Sequence, residues 1–459
     1  MRQRRLSELA RTVDGTLEGD DVVVTGAAAD SREVGAGDLF VALPGERVDG
    51  HVYLDQAFSS GAAAALVSVR GRAPGPTVVV GDTRAALASL AADERSAMAA
   101  GVVGVTGSTG KTSVKDLTAA VLGVRYRTAA SPRSFNTEVG VPLTILRAPA
   151  DVEMMVCEMG SRGRGHIRLL CDIARPTVGI VTNVGVTHME MFGSPEAVAD
   201  AKAELVESLP ADGVAVLNAD DPVVRGFTAR TSARPLLYGT APDADVRGDD
   251  LRLDAAGRPT FTLRSGGEAE RVELSLVGEH MAANALAAAA CGVAVGLSAA
   301  ECAAALKDAR VSSWRMEVLE GPDGLRVVND AYNANPTSMA AALKAARWIA
   351  RDARCVAVLG EMAELGDISD AEHERVGELV ARLGIDALVT VGHGAARIAA
   401  GAVREGVEPE RVVRAGSVPE ALAAARSMAG PGDVVLVKGS RVAGLERLAE
   451  ALATAETAP

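Results

Sequence analysis

The chain has 459 residues and 48% hydrophobic content, which suggests about three domains, each able to bury a core. A formal net charge of −13 without any Lys/Arg block argues against a nucleic-acid or anionic-membrane surface. The five cysteines lack a C-x-x-C pair, as expected of reduced thiols in a cytoplasmic protein, and no apolar stretch is long enough to span a bilayer.

The first segment, residues 1–98, reads as short strands and helices in a small α/β domain. Val22–Val24, Asp38–Leu43 and Ala64–Val69 are strand candidates, and a helix ends at Gly61. Basic Met1–Arg5 is followed by Ser7, Glu8 and Arg11 instead of an apolar core, so it is not expected to be a signal peptide. The turn Asp30-Ser31-Arg32 is an ordinary polar turn by composition. A hydroxyl and a guanidinium there could also grip a nucleotide base and a diphosphate.

Residues 99–312 repeat strand, loop and helix, which predicts a mainly parallel sheet covered by helices. The strand Val102–Val105 runs into Thr106-Gly107-Ser108-Thr109-Gly110-Lys111-Thr112-Ser113, and a helical pattern resumes at Lys111. That context is a phosphate-binding loop: backbone N–H groups and a helix N-terminus converge on an anion, and glycines let it approach. Lys111 would reach the terminal phosphates of a nucleoside triphosphate, and the Thr112 hydroxyl would face Mg2+. Val105 stands where the strict pattern has glycine.

Ligands in such sheets bind at the carboxyl ends of the strands. Those ends carry Asn136 and Thr137, Glu158, Thr182-Asn183 with His188 beyond, and Lys202 on the following helix. Thr112 and Glu158 suit one Mg2+, which takes oxygen ligands and keeps waters. His188 could serve a second ion. Lys202, a cation, is an odd neighbour for metals unless something converts it; with Glu204 it otherwise reads as a solvated helix face. His280 and Asn284, four residues apart, share a helix face, and Asn284 could read a base edge.

Residues 313–459 predict a second open α/β sheet of Rossmann-like type, with strands at Cys355–Leu359, Ala387–Val391 and Val434–Val437. Arg315 lies at the presumed hinge, where a guanidinium could swing over phosphates. The amide-rich stretch Asn329-Asp330-Ala331-Tyr332-Asn333-Ala334-Asn335-Pro336 follows one strand, and two further strand-end loops match it: Gly360–Gly366 with His373 nearby, and Lys438-Gly439-Ser440-Arg441. His166 and His393 have no comparable support and read as structural.

The set as a whole resembles the Mur ligase family of ATP-dependent amide ligases, whose phosphate loop has the T-G-x-x-G-K-T form. The resemblance rests on residues 106–112, Glu158-Met159-Gly160, Thr182-Asn183-Val184 with His188, Ala201–Glu204, His280 with Asn284, and Arg315. Residues 330–336 and 360–366 resemble the members that add D-alanyl-D-alanine, and His166 departs from the acidic residue of many relatives. The resemblance implies three domains: a UDP-substrate domain (1–98), a central P-loop ATPase domain (99–312) and a C-terminal domain that closes over ATP (313–459). It implies ATP, two Mg2+ ions and a carbamate on Lys202, and the substrates UDP-N-acetylmuramoyl-tripeptide and D-alanyl-D-alanine. By the same resemblance Lys111, Glu158, His188, Lys202 and Arg315 are catalytic, with Thr112, Glu158, His188 and Lys202 around metal. Gly107 to Ser113, Asn284, Arg315, Asp330 and Asn333 would face ATP; Ser31 and Arg32 the UDP part; Asn136, Thr137 and Tyr332 the rest of the substrates. A cytoplasmic monomer is expected. Two other readings stay open: a related ligase adding a diamino acid or extending folate, and a nucleotide-controlled switch.

Overall fold

The computed structural model describes residues 1–45, 48–187 and 189–454. The expected ligand His188 lies outside them. Three larger sheets follow one another along the chain, beside a two-stranded pairing of Arg4–Arg5 with Val23–Val24. The first has five strands between Thr16–Glu18 and Thr77–Val79, its parallel part running Gly26–Ala28, Asp38–Val41, Ala64–Val67, Thr77–Val79.

The second sheet has nine strands, with Gly101–Thr106 between Met154–Glu158 and Val178–Val181, all parallel. Pro259–Ser265 and Glu268–Glu273 extend its far edge as antiparallel strands, an addition to the mainly parallel pattern that was expected. Val105 is fully buried and in register with Glu158 on one side and Ile180 on the other. That explains the missing glycine: position 105 belongs to the buried strand, where a β-branched side chain packs well, and the turn begins only at Gly107.

The third sheet has six strands, five of them parallel, with Arg326–Asp330, Val434–Lys438 and Cys355–Gly360 at its centre. All three expected strands are present. The next helix, Pro336–Ala350, starts two residues earlier than Ser338, because Asn335 caps it by accepting from Ser338 N at 2.9 Å and proline fills its first turn. All five cysteines are buried and free of disulfide bonds. Among the described residues no helix is long and apolar enough to cross a membrane.

Candidate active site

The phosphate loop is braced from beneath. Thr182 Oγ1 donates to the Thr109 carbonyl at 2.6 Å, and Asn183 accepts from Thr109 N at 2.9 Å while donating back to the same carbonyl at 3.1 Å. Thr182 and Asn183 therefore shape the loop. Gly110 has φ +84°, and a Cβ there would sit 2.6 Å from Asn284 Oδ1, so both conformation and space demand glycine. Asn284, nearly buried, is thereby held against the start of the helix Lys111–Leu122.

Lys111 is only partly exposed and folds back on its own loop, donating to the Gly107 carbonyl at 2.8 Å and the Ser108 carbonyl at 3.3 Å. Burial lowers its pKa, Arg315 adds to this, and Glu158 opposes it. One residue on, the Thr112 hydroxyl donates to Glu158 Oε2 at 2.7 Å and accepts from Arg315 Nη2 at 2.7 Å. Glu158, 1% exposed, also accepts from Asn136 Nδ2 at 2.8 Å. Asn136 is thus tied to the carboxylate as well as lining the cavity.

Arg315 arrives from the start of the third segment. Its guanidinium lies 4.3 Å over the Tyr332 ring, and its Nε is buried with no hydrogen-bond partner. A buried donor without an acceptor is costly, and Arg315 is among the residues that line the cavity. The Tyr332 hydroxyl hydrogen-bonds Ser134 across the same space, and burial raises its pKa.

Lys202 is 1% exposed on the helix Pro195–Glu207, so the expectation of a solvated face fails. Glu204 is buried too, accepting from Gly165 N at 2.6 Å and Arg168 N at 3.1 Å to hold the start of the helix His166–Ala174. Among the described residues no carboxylate lies within ion-pair distance of Lys202. Burial, and secondly the positive charge of Lys111, push its pKa well below the usual lysine value. Glu204 opposes this shift, and Lys202 itself does not line the cavity.

A cavity of about 610 Å³ collects most of these groups: residues 108–113, Asn136, Thr137, Glu158, Asn284, Arg315, Asp330, Tyr332 and Asn333 all line it. A second cavity of about 550 Å³ adjoins it through His280, Ala283, Thr337 and Ala341. Ser31 and Arg32 line neither: Ser31 donates to Gln56 at 3.0 Å, and Arg32, 80% exposed, pairs with Asp30 at 2.6 Å. Among the described residues of the first segment, Arg84 reaches the cavity.

The expected strand-end loop at 438–441 supplies two cavity residues, Lys438 and Arg441, and His166 adds a third that was not expected. Lys438, 2% exposed, donates to Asp330 Oδ2 at 2.5 Å and to the Asn333 carbonyl at 2.8 Å, fixing the Asp330 loop. Its signal was a lysine closing a run of valines at a strand's carboxyl end. Arg441 lines the cavity and lies 4.6 Å over the Trp314 ring. His166, read as structural, also lines the cavity, with Nδ1 accepting from Arg162 N at 3.2 Å. His373, by contrast, is a buried brace that accepts from Met362 N at 2.9 Å.

Among the described residues no group of three or more His, Cys, Asp or Glu side chains converges on one point. What is present is the hydroxyl of Thr112 and the carboxylate of Glu158. Such a pair fits a hard cation that takes its remaining ligands from water and phosphate, as Mg2+ does. Phosphate loop, two oxygen donors and a guanidinium line one cavity and together suit the movement of a phosphoryl group.

Three family descriptions match the chain: "Mur ligase family, catalytic domain" over residues 23–95, "Mur ligase middle domain" over 105–292, and "Mur ligase, glutamate ligase domain" over 314–441. A relative from Mycobacterium bovis, UDP-N-acetylmuramoyl-tripeptide–D-alanyl-D-alanine ligase, is 42% identical over 97% of this chain and 94% of its own length. The Bacillus subtilis protein of the same name is 35% identical over 98% of this chain and 99% of its own length. Among solved structures, MurF from Acinetobacter baumannii superposes with a TM-score of 0.87 at 28% identity, covering 98% of this chain and 99% of that one. MurF ligase from Thermotoga maritima in complex with ADP gives a TM-score of 0.80 at 28% identity, covering 93% and 96%.

Proposed function

The chain belongs to the Mur ligase family, and from that premise we propose that it is the ATP-dependent ligase that joins D-alanyl-D-alanine to UDP-N-acetylmuramoyl-tripeptide in peptidoglycan precursor synthesis. The observation that carries this reading is the Thr112–Glu158–Arg315 cluster at the phosphate loop, all three residues lining one cavity with residues 108–113. A cytoplasmic location belongs to the same proposal.

A carboxylate is a poor acyl donor. ATP therefore gives its γ-phosphoryl group to the terminal carboxylate of the tripeptide, forming an acyl phosphate and ADP. The amine of D-alanyl-D-alanine attacks the acyl carbon, the C–O bond to phosphate breaks, and inorganic phosphate leaves as the amine loses a proton. Lys111, released from its loop carbonyls, and Arg315 would balance charge on the transferred oxygens. Mg2+, held by Thr112 and Glu158, would supply Lewis-acid charge neutralisation there. Residues of the first segment, Ser31 and Arg32, are proposed for the UDP part. Asn136 and Thr137 are proposed for the muramoyl part, Asn284 for the base, and Asp330 with Asn333 for the ribose side. Tyr332 and the loops of the third sheet would receive the dipeptide, and closure over the cavity would keep water from the acyl phosphate.

The same reading covers Lys202. CO2 converts an uncharged amine to a carbamate, and burial of Lys202 without an ion-paired carboxylate among the described residues favours that uncharged form. An anion at that point would also be attracted by Lys111, which disfavours a positive charge there. The three segments, 1–98, 99–312 and 313–459, are proposed as the UDP-substrate, ATPase and closing domains.

The test is phosphate release with a panel of UDP-muramoyl peptides and amines. Release is expected to require UDP-N-acetylmuramoyl-tripeptide and D-alanyl-D-alanine together. A rate unchanged when either is omitted would mean a nucleotide switch, and turnover with a different amine would mean a related ligase.

A further inference from the structure

The segment that carries Arg315 is strained and tethered. Trp314 and Met316, on either side of Arg315, both hold positive φ angles of +63° and +53°, a region bulky side chains seldom occupy. Such a conformation persists only where surrounding contacts over-determine it. On the downstream side, Met316 N donates to Asp330 Oδ1 at 3.1 Å. On the upstream side the tether is Asp116, whose Oδ2 accepts both from Ser312 N at 2.8 Å and from Ser312 Oγ at 2.7 Å.

Asp116 lies one helical turn beyond Thr112 on the helix Lys111–Leu122, so the two share a face. Thr112 receives Arg315 and Asp116 receives Ser312; the connecting segment therefore runs along this helix with two grips. Asp116 is itself fixed: its Oδ1 pairs with Lys115 Nζ at 2.6 Å, with the lysine 2% exposed. Lys115 also donates to the carbonyls of Ser131 at 2.7 Å and Arg133 at 3.0 Å. The Ser131 hydroxyl in turn accepts from Glu158 N at 3.2 Å.

We infer that Asp116 is a positioning residue, which acts through Ser312 to set Arg315 over the phosphate loop and so couples placement of the third segment to the nucleotide site. This rests on the reading of Arg315 given above. Asp116 does not line the cavity, so its effect on turnover must pass through the segment it holds.

A double-mutant cycle tests this with phosphate release in the presence of both substrates. Asp116→Ala is expected to lower kcat roughly tenfold in the wild-type background and by less than about twofold when Arg315→Ala is already present, because the group being placed is then gone. Ser312→Ala, which removes only the hydroxyl tether, is expected to lower kcat by a few fold and to show the same loss of effect beside Arg315→Ala. It serves as the measurement if Asp116→Ala does not fold. Equal fold losses in both backgrounds, or unchanged turnover, would overturn the inference. Failure of the ligase reading looks different: the wild-type protein itself would then release phosphate without one of the substrates.

Discussion

Lys202→Ala is expected to lower ligase turnover by roughly 100-fold or more, since removal of a group that orients a metal site costs up to that factor and here a charge is lost too. A short carboxylic acid such as acetate or formate, added at millimolar to molar concentration, is expected to restore part of the rate. The reasoning is electrostatic. Lys202 is buried close to a second lysine, and burial together with Lys111 favours its neutral form. As an ammonium it would oppose the charge that Lys111 supplies; as a carbamate it would complement it. Alanine leaves a space in which a small carboxylate provides the same anion. Rescue that rises with acid concentration and saturates is the expected pattern. No rescue across a wide concentration range would leave carbamylation without support.

Glu158→Gln is the second large effect. The carboxylate accepts from Thr112 and from Asn136, and it is almost wholly buried. The amide keeps the volume and one acceptor but removes the charge, so the fold is expected to survive while the cation loses its anionic ligand. The Mg2+ concentration for half-maximal turnover is expected to rise by roughly 10- to 100-fold, with turnover at saturating Mg2+ recovering in part. An unaltered metal titration would count against Glu158 as a ligand. Thermal melting of the variant without Mg2+, set beside the wild-type curve, separates this from a folding defect.

The strands and the phosphate loop were legible in the sequence because they depend on local pattern. Runs of valine ending in glycine, asparagine or glutamate fix both the element and the edge of the sheet where polar groups gather. Val105 was the exception in the loop motif, and its place in the buried strand accounts for it. Lys202 was legible as a residue but not as an environment, since burial of both Lys202 and Glu204 comes from the packing of their helix. Lys438 was legible as part of a strand-end loop, but its pairing was not, because Asp330 is 108 residues away in sequence although the two are cross-strand neighbours in register. Arg84 was missed for the same reason: nothing local marks a first-segment arginine that reaches a cavity built mainly from the other two. The antiparallel edge of the nine-stranded sheet carries alternating polar residues and no chemistry, so attention to strand-end motifs passed over it.

The central claim is that phosphate released by this protein has first been joined to the substrate carboxylate. The direct measurement uses UDP-N-acetylmuramoyl-tripeptide labelled with 18O in its terminal carboxylate, turned over with ATP and D-alanyl-D-alanine, with the phosphate analysed by mass. One 18O atom per phosphate released is predicted, because the C–O bond that breaks leaves the carboxylate oxygen on phosphorus. Unlabelled phosphate formed alongside labelled product would show that ATP is hydrolysed by water and would contradict the acyl-phosphate account.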